Sequence, residues 1–158
     1  MTTPPNRCLI LACGNTLRED DGVGPWLADW AQEHFGNQPE IRVLSRHQWT
    51  PDLVEDIAAV QSVLFIDCTI DSAPGQVILA PVEPASAMPR MLTHHLNASD
   101  LLALSRDLYG SQPRHARLLS VGAASLHIHE GLSDVVTASL PKAISCIETT
   151  LQSWLQGC

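Results

Sequence analysis

The sequence predicts an α/β fold in three layers, a twisted, mostly parallel sheet of about five strands with helices on both faces. Short runs of consecutive apolar residues, typical of strands buried on both sides, alternate with longer segments in which apolar residues recur at helical spacing. Hydrophobic residues make up 45% of the chain, which is enough to cover both faces of a sheet. The length of 158 residues suits one core, so we expect a single domain over residues 1–158.

Strands and helices alternate in the predicted order, which favours parallel pairing. Residues 62–66 (SVLFI) form the most strongly β-like run and should be a central strand, whereas the fourth strand is short and nearer the edge. Ser133 is a candidate cap for the last helix, which should end near residue 154. The predicted strands are residues 8–12, 41–44, 62–66, 77–79 and 118–121, and the other predicted helices are residues 25–35, 52–60 and 98–109.

Capping and breaking residues define several helix ends. Thr50 is a candidate N-cap for the second helix, with Pro51 in the first helical position. Asn97 is the candidate cap of the third helix, and Gly110 should stop it. Pro141 predicts a break or kink in the last helix, because its ring removes one intrahelical hydrogen bond.

Composition excludes several classes of protein. The formal net charge of −8 argues against nucleic acid or anionic lipid as a partner, and no apolar run approaches the length of a membrane span. Residues 1–6 show no signal-peptide pattern. The five cysteines are an odd set without CxxC spacing, which argues against a disulfide framework and a cysteine zinc site. We therefore expect a cytoplasmic protein that does not act at a membrane.

The turn between the first strand and the first helix, residues 13–25 (CGNTLREDDGVGP), predicts a cation site. Its glycines do not have GxGxxG spacing, and no Lys-Ser or Lys-Thr follows them as in a P-loop. Glu19, Asp20 and Asp21 crowd the helix N-terminus, where they would repel a phosphate and attract a cation. The alternative is that Asp20 or Asp21 caps the helix. Both can hold, because adjacent side chains point in different directions.

A second carboxylate, Asp67, follows the SVLFI strand. Carboxyl ends of neighbouring parallel strands lie side by side, so we expect Asp67 close to Asp21. An ionised carboxylate there costs several kcal/mol unless it is paired or bound to a cation, although it can instead cap the following turn.

Histidines are candidates for a third ligand. His94 and His95 precede a helix and can lean over the same edge, and neutral imidazole with two carboxylates suits nickel or zinc. The alternative is an exposed histidine pair without a role. His127 and His129 form an HxH pair, which alone is a weak indication of a metal site.

No nucleophile is indicated by the sequence. It contains neither a GxSxG elbow nor an HExxH helix. Cys13 and Cys68 have carboxylate-rich surroundings that disfavour a thiolate. Asp20 and Asp21 are adjacent, unlike the facing carboxylates of an aspartic protease.

The segment GNTLREDDGVGP resembles the N-terminal signature of the hydrogenase maturation proteases, which trim the large subunit of nickel–iron hydrogenases. The resemblance continues through LFIDCT at residues 64–69, HHLNASDLL at residues 94–102 and HEGL at residues 129–132. One departure is Asp at position 21, where some members have Glu. The segment at residues 47–51 (HQWTP) resembles the branch that serves bidirectional, NAD(P)-linked hydrogenases.

This resemblance implies Asp21, Asp67 and His94 as metal-binding and catalytic residues, with His95 as the alternative histidine. It implies an endopeptidase that removes a C-terminal peptide from a nickel–iron hydrogenase large-subunit precursor after nickel insertion. The nickel comes with the precursor, and no organic cofactor is needed. The precursor is the expected partner of a monomeric enzyme. A non-catalytic nickel-site chaperone and a metallohydrolase with its own zinc remain alternatives.

Overall fold

The structure, a computed structural model, describes residues 7–86 and 96–156, which form a five-stranded sheet with helices on both faces. The strand order is β2-β1-β3-β5-β4, in which neighbours pair in parallel except for the antiparallel edge strand β4. The predicted fold class and the edge position of the fourth strand are confirmed. The strands are β1 (Cys8–Cys13), β2 (Ile41–Arg46), β3 (Ser62–Thr69), β4 (Val77–Pro81) and β5 (His115–Gly122), and the helices are α1 (Val23–Phe35), α2 (Val54–Ala58), α3 (Ala98–Tyr109) and α4 (Asp134–Gln156).

Two hydrophobic cores lie on opposite sides of the sheet. Because successive strand residues point to opposite faces, Ile10 and Leu64 pack with α1 and α4, whereas Leu11 and Phe65 pack with α2 and α3. Both faces of β1 and β3 are therefore buried, which explains their uninterrupted apolar runs.

Strand β3 extends three residues beyond its predicted end at Ile66. Its pairing with β1 stops at Ala12–Ile66, but its pairing with β5 continues to Thr69–Gly122. Asp67 therefore still pairs with Ser120 on one side, while on the other side β1 ends at Cys13 and its chain departs into the turn. This difference in length opens a notch at the carboxyl edge of the sheet.

The second helix is shorter than predicted and the third is as predicted. A 3₁₀ turn (Pro51–Leu53) precedes α2, and in the described part of the chain the Thr50 side chain makes no capping bond to the backbone. Thr50 occupies the predicted N-cap position with Pro51 after it, but its hydroxyl bonds to the Asp52 carboxylate. Asn97 caps α3 in a reciprocal capping box with Asp100, and Gly110 ends that helix in the left-handed conformation.

Helix α4 runs through Pro141 without a break, so the predicted break is wrong, and the alternative, a kink, stays a prediction. The proline is exposed, while Leu140 and Ala143 beside it pack into the core against the sheet. That packing holds the helix together despite the loss of one hydrogen bond. None of the helices in residues 7–86 and 96–156 combines the length and apolar character needed to cross a bilayer.

The first turn of α1 packs directly on the end of β1. A Cβ atom built on Gly24 would lie 2.3 Å from the carbonyl oxygen of Cys13, a distance that no side chain tolerates. Only glycine therefore permits the close approach that sets α1, and the turn before it, against the sheet.

We predict that Gly24→Ala lowers the free energy of unfolding by about 2–3 kcal/mol, because the added methyl group forces backbone apart from backbone. Urea denaturation monitored by circular dichroism measures the loss. Gly110→Ala is the control: its added methyl meets no atom within 4 Å, so only the left-handed backbone penalty of about 1 kcal/mol applies. An equal or smaller loss in Gly24→Ala would contradict the close packing.

Candidate functional site

A pocket of about 430 Å³ lies at the carboxyl edge of the sheet, in the notch beside β3. It is built from the turn after β1, the segment after β2, the end of β3 and the approach to α3. The side chains in its walls that are able to bind a ligand or to react are Cys13, Arg18, Asp21, His47, Trp49 and Asp67. This is the crevice in which open α/β sheets bind ligands.

Each of the two pocket carboxylates is anchored through one oxygen. Oδ2 of Asp21 accepts a hydrogen bond from the backbone N–H of Asn15 at 2.8 Å. Oδ1 of Asp67 accepts one from its neighbour, the backbone N–H of Cys68, at 2.8 Å, and one from Sγ of Cys13 at 3.4 Å. The second oxygen of each carboxylate has no hydrogen-bond donor among residues 7–86 and 96–156. As far as the described residues go, each of the two fixed carboxylates thus has one oxygen available for a ligand.

Burial raises the pKa of Asp67 to about 6. The hydrogen bonds from Cys13 and Cys68 act in the opposite direction, and the negative charge of Asp21 adds to the increase. The two carboxylates are therefore close enough to repel one another, and a cation between them would relieve the repulsion.

The two nearby thiols are unsuited to nucleophilic attack. Burial raises the pKa of Cys13 far above its usual range, and the adjacent Asp67 carboxylate raises it further. Burial and the charges of Asp21 and Asp67 likewise raise the pKa of Cys68 to about 12. Both thiols stay protonated at neutral pH, as the carboxylate-rich sequence indicated.

Asp20 has a different role from Asp21. Its side chain is fully buried and accepts four hydrogen bonds, from the backbone N–H groups of Ala124, Ser125 and Ser133 and from the Ser133 hydroxyl, at 2.8–3.0 Å. Burial alone would raise the pKa of Asp20, but these bonds lower it overall. Helix α1 begins at Val23 after Gly22, so neither aspartate caps it as the alternative prediction had it. Asp20 instead ties the turn after β1 to the loop after β5.

Backbone contacts complete the tie between these two segments. The N–H of Glu19 bonds to the carbonyl of His129 at 2.9 Å, and the N–H of His129 bonds to the carbonyl of Leu17 at 3.0 Å. Glu19 has a φ of +44°, a left-handed conformation that costs free energy in a residue other than glycine. The side chains of His127 and His129 are exposed and lie outside the pocket walls.

The structure places two of the three predicted site residues, Asp21 and Asp67, on one pocket. His94 and its alternative His95 lie outside the described residues. Within those residues, no three His, Cys, Asp or Glu side chains are grouped so that they could hold a metal ion. Metal binding by Asp21, Asp67 and His94 therefore stays a prediction.

His47 and Trp49 are pocket residues that the sequence reasoning missed. Both follow β2, which lies next to β1 in the sheet. The rule that placed Asp21 and Asp67, that carboxyl ends of parallel strands meet, applies to this segment too. In the sequence, His47 and Trp49 serve only as the mark of a subgroup.

We predict that the two adjacent aspartates respond oppositely to neutralisation. Asp20→Asn loses about 2–4 kcal/mol of unfolding free energy at pH 7, because an amide group cannot accept from all four donors. Asp21→Asn leaves stability unchanged or raised, because it removes repulsion from Asp67. Urea denaturation of both variants is the measurement, and a larger loss in Asp21→Asn would contradict the assignment.

The stabilisation by Asp20 should depend on pH. Because the folded pKa is lowered, the stabilisation is present above the ordinary value of 3.8 and is lost as the pH falls through the folded value. The difference in unfolding free energy between wild type and Asp20→Asn should therefore be constant from pH 7 to pH 5 and shrink below pH 4. A difference that persists unchanged in acid would contradict the hydrogen-bonded carboxylate.

Asp67 should show the opposite dependence. Its folded pKa is raised, so its contribution is favourable below 3.8 and is lost as the pH rises through about 6. We expect Asp67→Asn to match wild type at pH 3.8 and to be about 3 kcal/mol more stable at pH 8, measured with a chelator present. Equal stability of the two proteins at pH 8 would contradict the buried, repelled carboxylate.

Comparison with known proteins shows the fold and stops there. No protein-family model matches the sequence, and no curated protein matches it. The hydrogenase maturating endopeptidase HybD from E. coli is similar in structure, with a TM-score of 0.73, 22% sequence identity and 93% of each chain covered. The hydrogenase maturation protease HycI from Thermococcus kodakarensis has a TM-score of 0.69 and 22% sequence identity, with 94% of each chain covered. A hydrogenase 2 maturation peptidase from a Thaumarchaeota archaeon has a TM-score of 0.67 and 22% sequence identity, with 92% of this chain and 98% of that chain covered. The chain has the fold of these proteins.

Proposed function

We propose that this protein is a hydrogenase maturation endopeptidase that removes a C-terminal peptide from a nickel–iron hydrogenase large-subunit precursor after nickel insertion. One observation carries the proposal: Asp21 and Asp67 each hold one oxygen open to the same pocket, on a fold shared with HybD and HycI. The sequence signature at residues 14–25 supplies Asp21 in the position that the family uses for a ligand. We propose that the enzyme acts as a monomer.

The precursor's nickel is part of the substrate. In the proposed complex, the open oxygens of Asp21 and Asp67 bind that nickel, with His94 as the third ligand and His95 as the alternative. Oxygen and imidazole nitrogen are suitable donors for it. Because the two carboxylates repel one another, binding a cation between them lowers the free energy. The affinity for the precursor therefore depends on whether nickel is present.

The enzyme supplies no nucleophile in this proposal. The thiol of Cys13 in the pocket and that of Cys68 nearby are both protonated, so water is the attacking group. The substrate's nickel supplies Lewis acidity.

The choice of hydrogenase rests on the resemblance of residues 47–51 to one branch of the family. His47 and Trp49 line the pocket, where they would contact the substrate segment. Their resemblance to the branch serving bidirectional, NAD(P)-linked hydrogenases makes such a precursor the first to test. The similar solved structures named for a particular enzyme come from proteases of hydrogenases 2 and 3.

We predict cleavage of nickel-loaded precursor only. Purified precursor, with and without nickel, is incubated with metal-stripped enzyme and its mass is measured by mass spectrometry. Loss of a C-terminal peptide is expected with nickel and is absent without it, and casein and short tail peptides remain intact. Asp21→Asn should reduce cleavage at least about 100-fold while remaining folded.

Two outcomes would overturn this proposal in favour of its alternatives. Binding of the nickel-loaded precursor without any loss of mass indicates a nickel-site chaperone that uses the same residues. Stoichiometric zinc that resists chelators in the purified protein, together with cleavage of nickel-free precursor, indicates a metallohydrolase with its own metal.

A further inference from the structure

Three exposed apolar side chains lie at the pocket edge of the sheet. Ile128 is 91% exposed, Ile70 76% and Leu17 52%. Each lies in a loop that follows a parallel strand: Leu17 follows β1, Ile70 follows β3 and Ile128 follows β5. These strands are consecutive in the sheet, so the three loops are neighbours. We call these three side chains the apolar rim.

The loops of the apolar rim are held in place by hydrogen bonds. The N–H of His129, next to Ile128, bonds to the carbonyl of Leu17, and the N–H of Ala123 bonds to the carbonyl of Thr69, next to Ile70, at 2.9 Å. Asp20 adds its four bonds to the loop after β5. The exposed side chains therefore belong to ordered segments, so a partner that covers them does not have to order the loops first.

The apolar rim is continuous with the pocket. Arg18, which follows Leu17, lines the pocket, and Asp67 lies three positions before Ile70 on the same strand end. A protein that places a segment of its chain beside Asp21 and Asp67 must lay its surrounding surface over these loops. Side chains exposed to this degree gain free energy when an apolar surface covers them.

A carboxylate follows each member of the apolar rim within two positions. Glu19 follows Leu17, Asp71 follows Ile70 and Glu130 follows Ile128. A complementary partner therefore has an apolar patch bordered by Lys and Arg side chains. Complementary charge of this kind speeds association and excludes partners of the wrong sign.

We propose that the apolar rim and its three carboxylates are the docking surface for the folded body of the precursor, which presents an apolar patch bordered by basic side chains. This inference rests on the proposed function and deepens it. The enzyme recognises the body of its substrate outside the pocket as well as the tail within it, so short tail peptides are expected to be poor substrates.

The test measures binding separately from cleavage. Precursor carrying nickel is immobilised, and the affinities of Leu17→Ser, Ile70→Ser, Ile128→Ser and the triple variant are measured by surface plasmon resonance. Each single change should weaken binding about tenfold, and the triple change by at least about 100-fold. Leu108→Ser is the matched control, an exposed leucine at the far end of α3. Melting temperatures should stay at the wild-type value, because none of these side chains is buried.

Charge reversal tests the acidic part of the surface. Glu130→Lys should weaken binding and reduce its dependence on salt, whereas Glu148→Lys, on the exposed side of α4, should change neither. Equal affinity of Glu130→Lys and wild type at low salt would overturn the charge complementarity.

The docking surface and the proposed function fail in different ways. Wild-type affinity in the triple variant, or equal losses in Leu108→Ser, would overturn the docking surface even if the tail is cut. Binding that depends on the apolar rim without cleavage by the wild-type enzyme would support the surface and overturn the proteolytic function. Absence of any binding by wild type would overturn both.

Discussion

The buried carboxylate of Asp20 connects the turn after β1 to a loop 104 to 113 positions further along the chain, and the carboxyl edge of the sheet takes its shape from that contact. Burying an ionised carboxylate is costly, but four hydrogen bonds offset the cost and lower its pKa overall. With Asp20 fixed on one side of the 3₁₀ turn (Glu19–Gly22), its neighbour Asp21 lies on the pocket side. The left-handed backbone conformation of Glu19 costs free energy locally. The backbone hydrogen bonds that Glu19 and Leu17 make with His129 hold that conformation in place.

Local sequence patterns were sufficient to predict the layers of the fold. They were not sufficient to predict the different roles of the adjacent residues Asp20 and Asp21. Continuous apolar runs mark strands buried on both faces, and the ends of parallel strands must meet, so the sequence predicted that Asp21 and Asp67 lie close together. Which of Asp20 and Asp21 faces the pocket depends on donors in residues 124–133, and no local pattern contains that information. His47 was within reach of the same strand-end rule, because β2 lies beside β1.

The errors at element ends have the same origin in tertiary contacts. β3 continues past Ile66 because β5 offers pairing partners as far as Gly122, which no property of the SVLFI run reveals. α4 continues past Pro141 because its buried face packs on the sheet on both sides of the proline, and that packing exceeds the loss of one hydrogen bond. The intrinsic propensity of the residues defines where a helix or strand can begin or end. The elements that pair with it or pack on it determine which of these ends is used.

Asp20 and Asp67 stand in opposite relation to the stability of the fold. The first is ionised, saturated with donors and stabilising, whereas the second is destabilised as an anion by burial and by the charge of Asp21. The open oxygens of Asp21 and Asp67 therefore favour any state in which positive charge enters the pocket. A partner that brings a cation supplies that charge, and a partner without one leaves the repulsion in place. The proposed preference for a metal-loaded substrate rests on this repulsion between the two carboxylates, because a ligand shifts an equilibrium only by its difference in affinity between states.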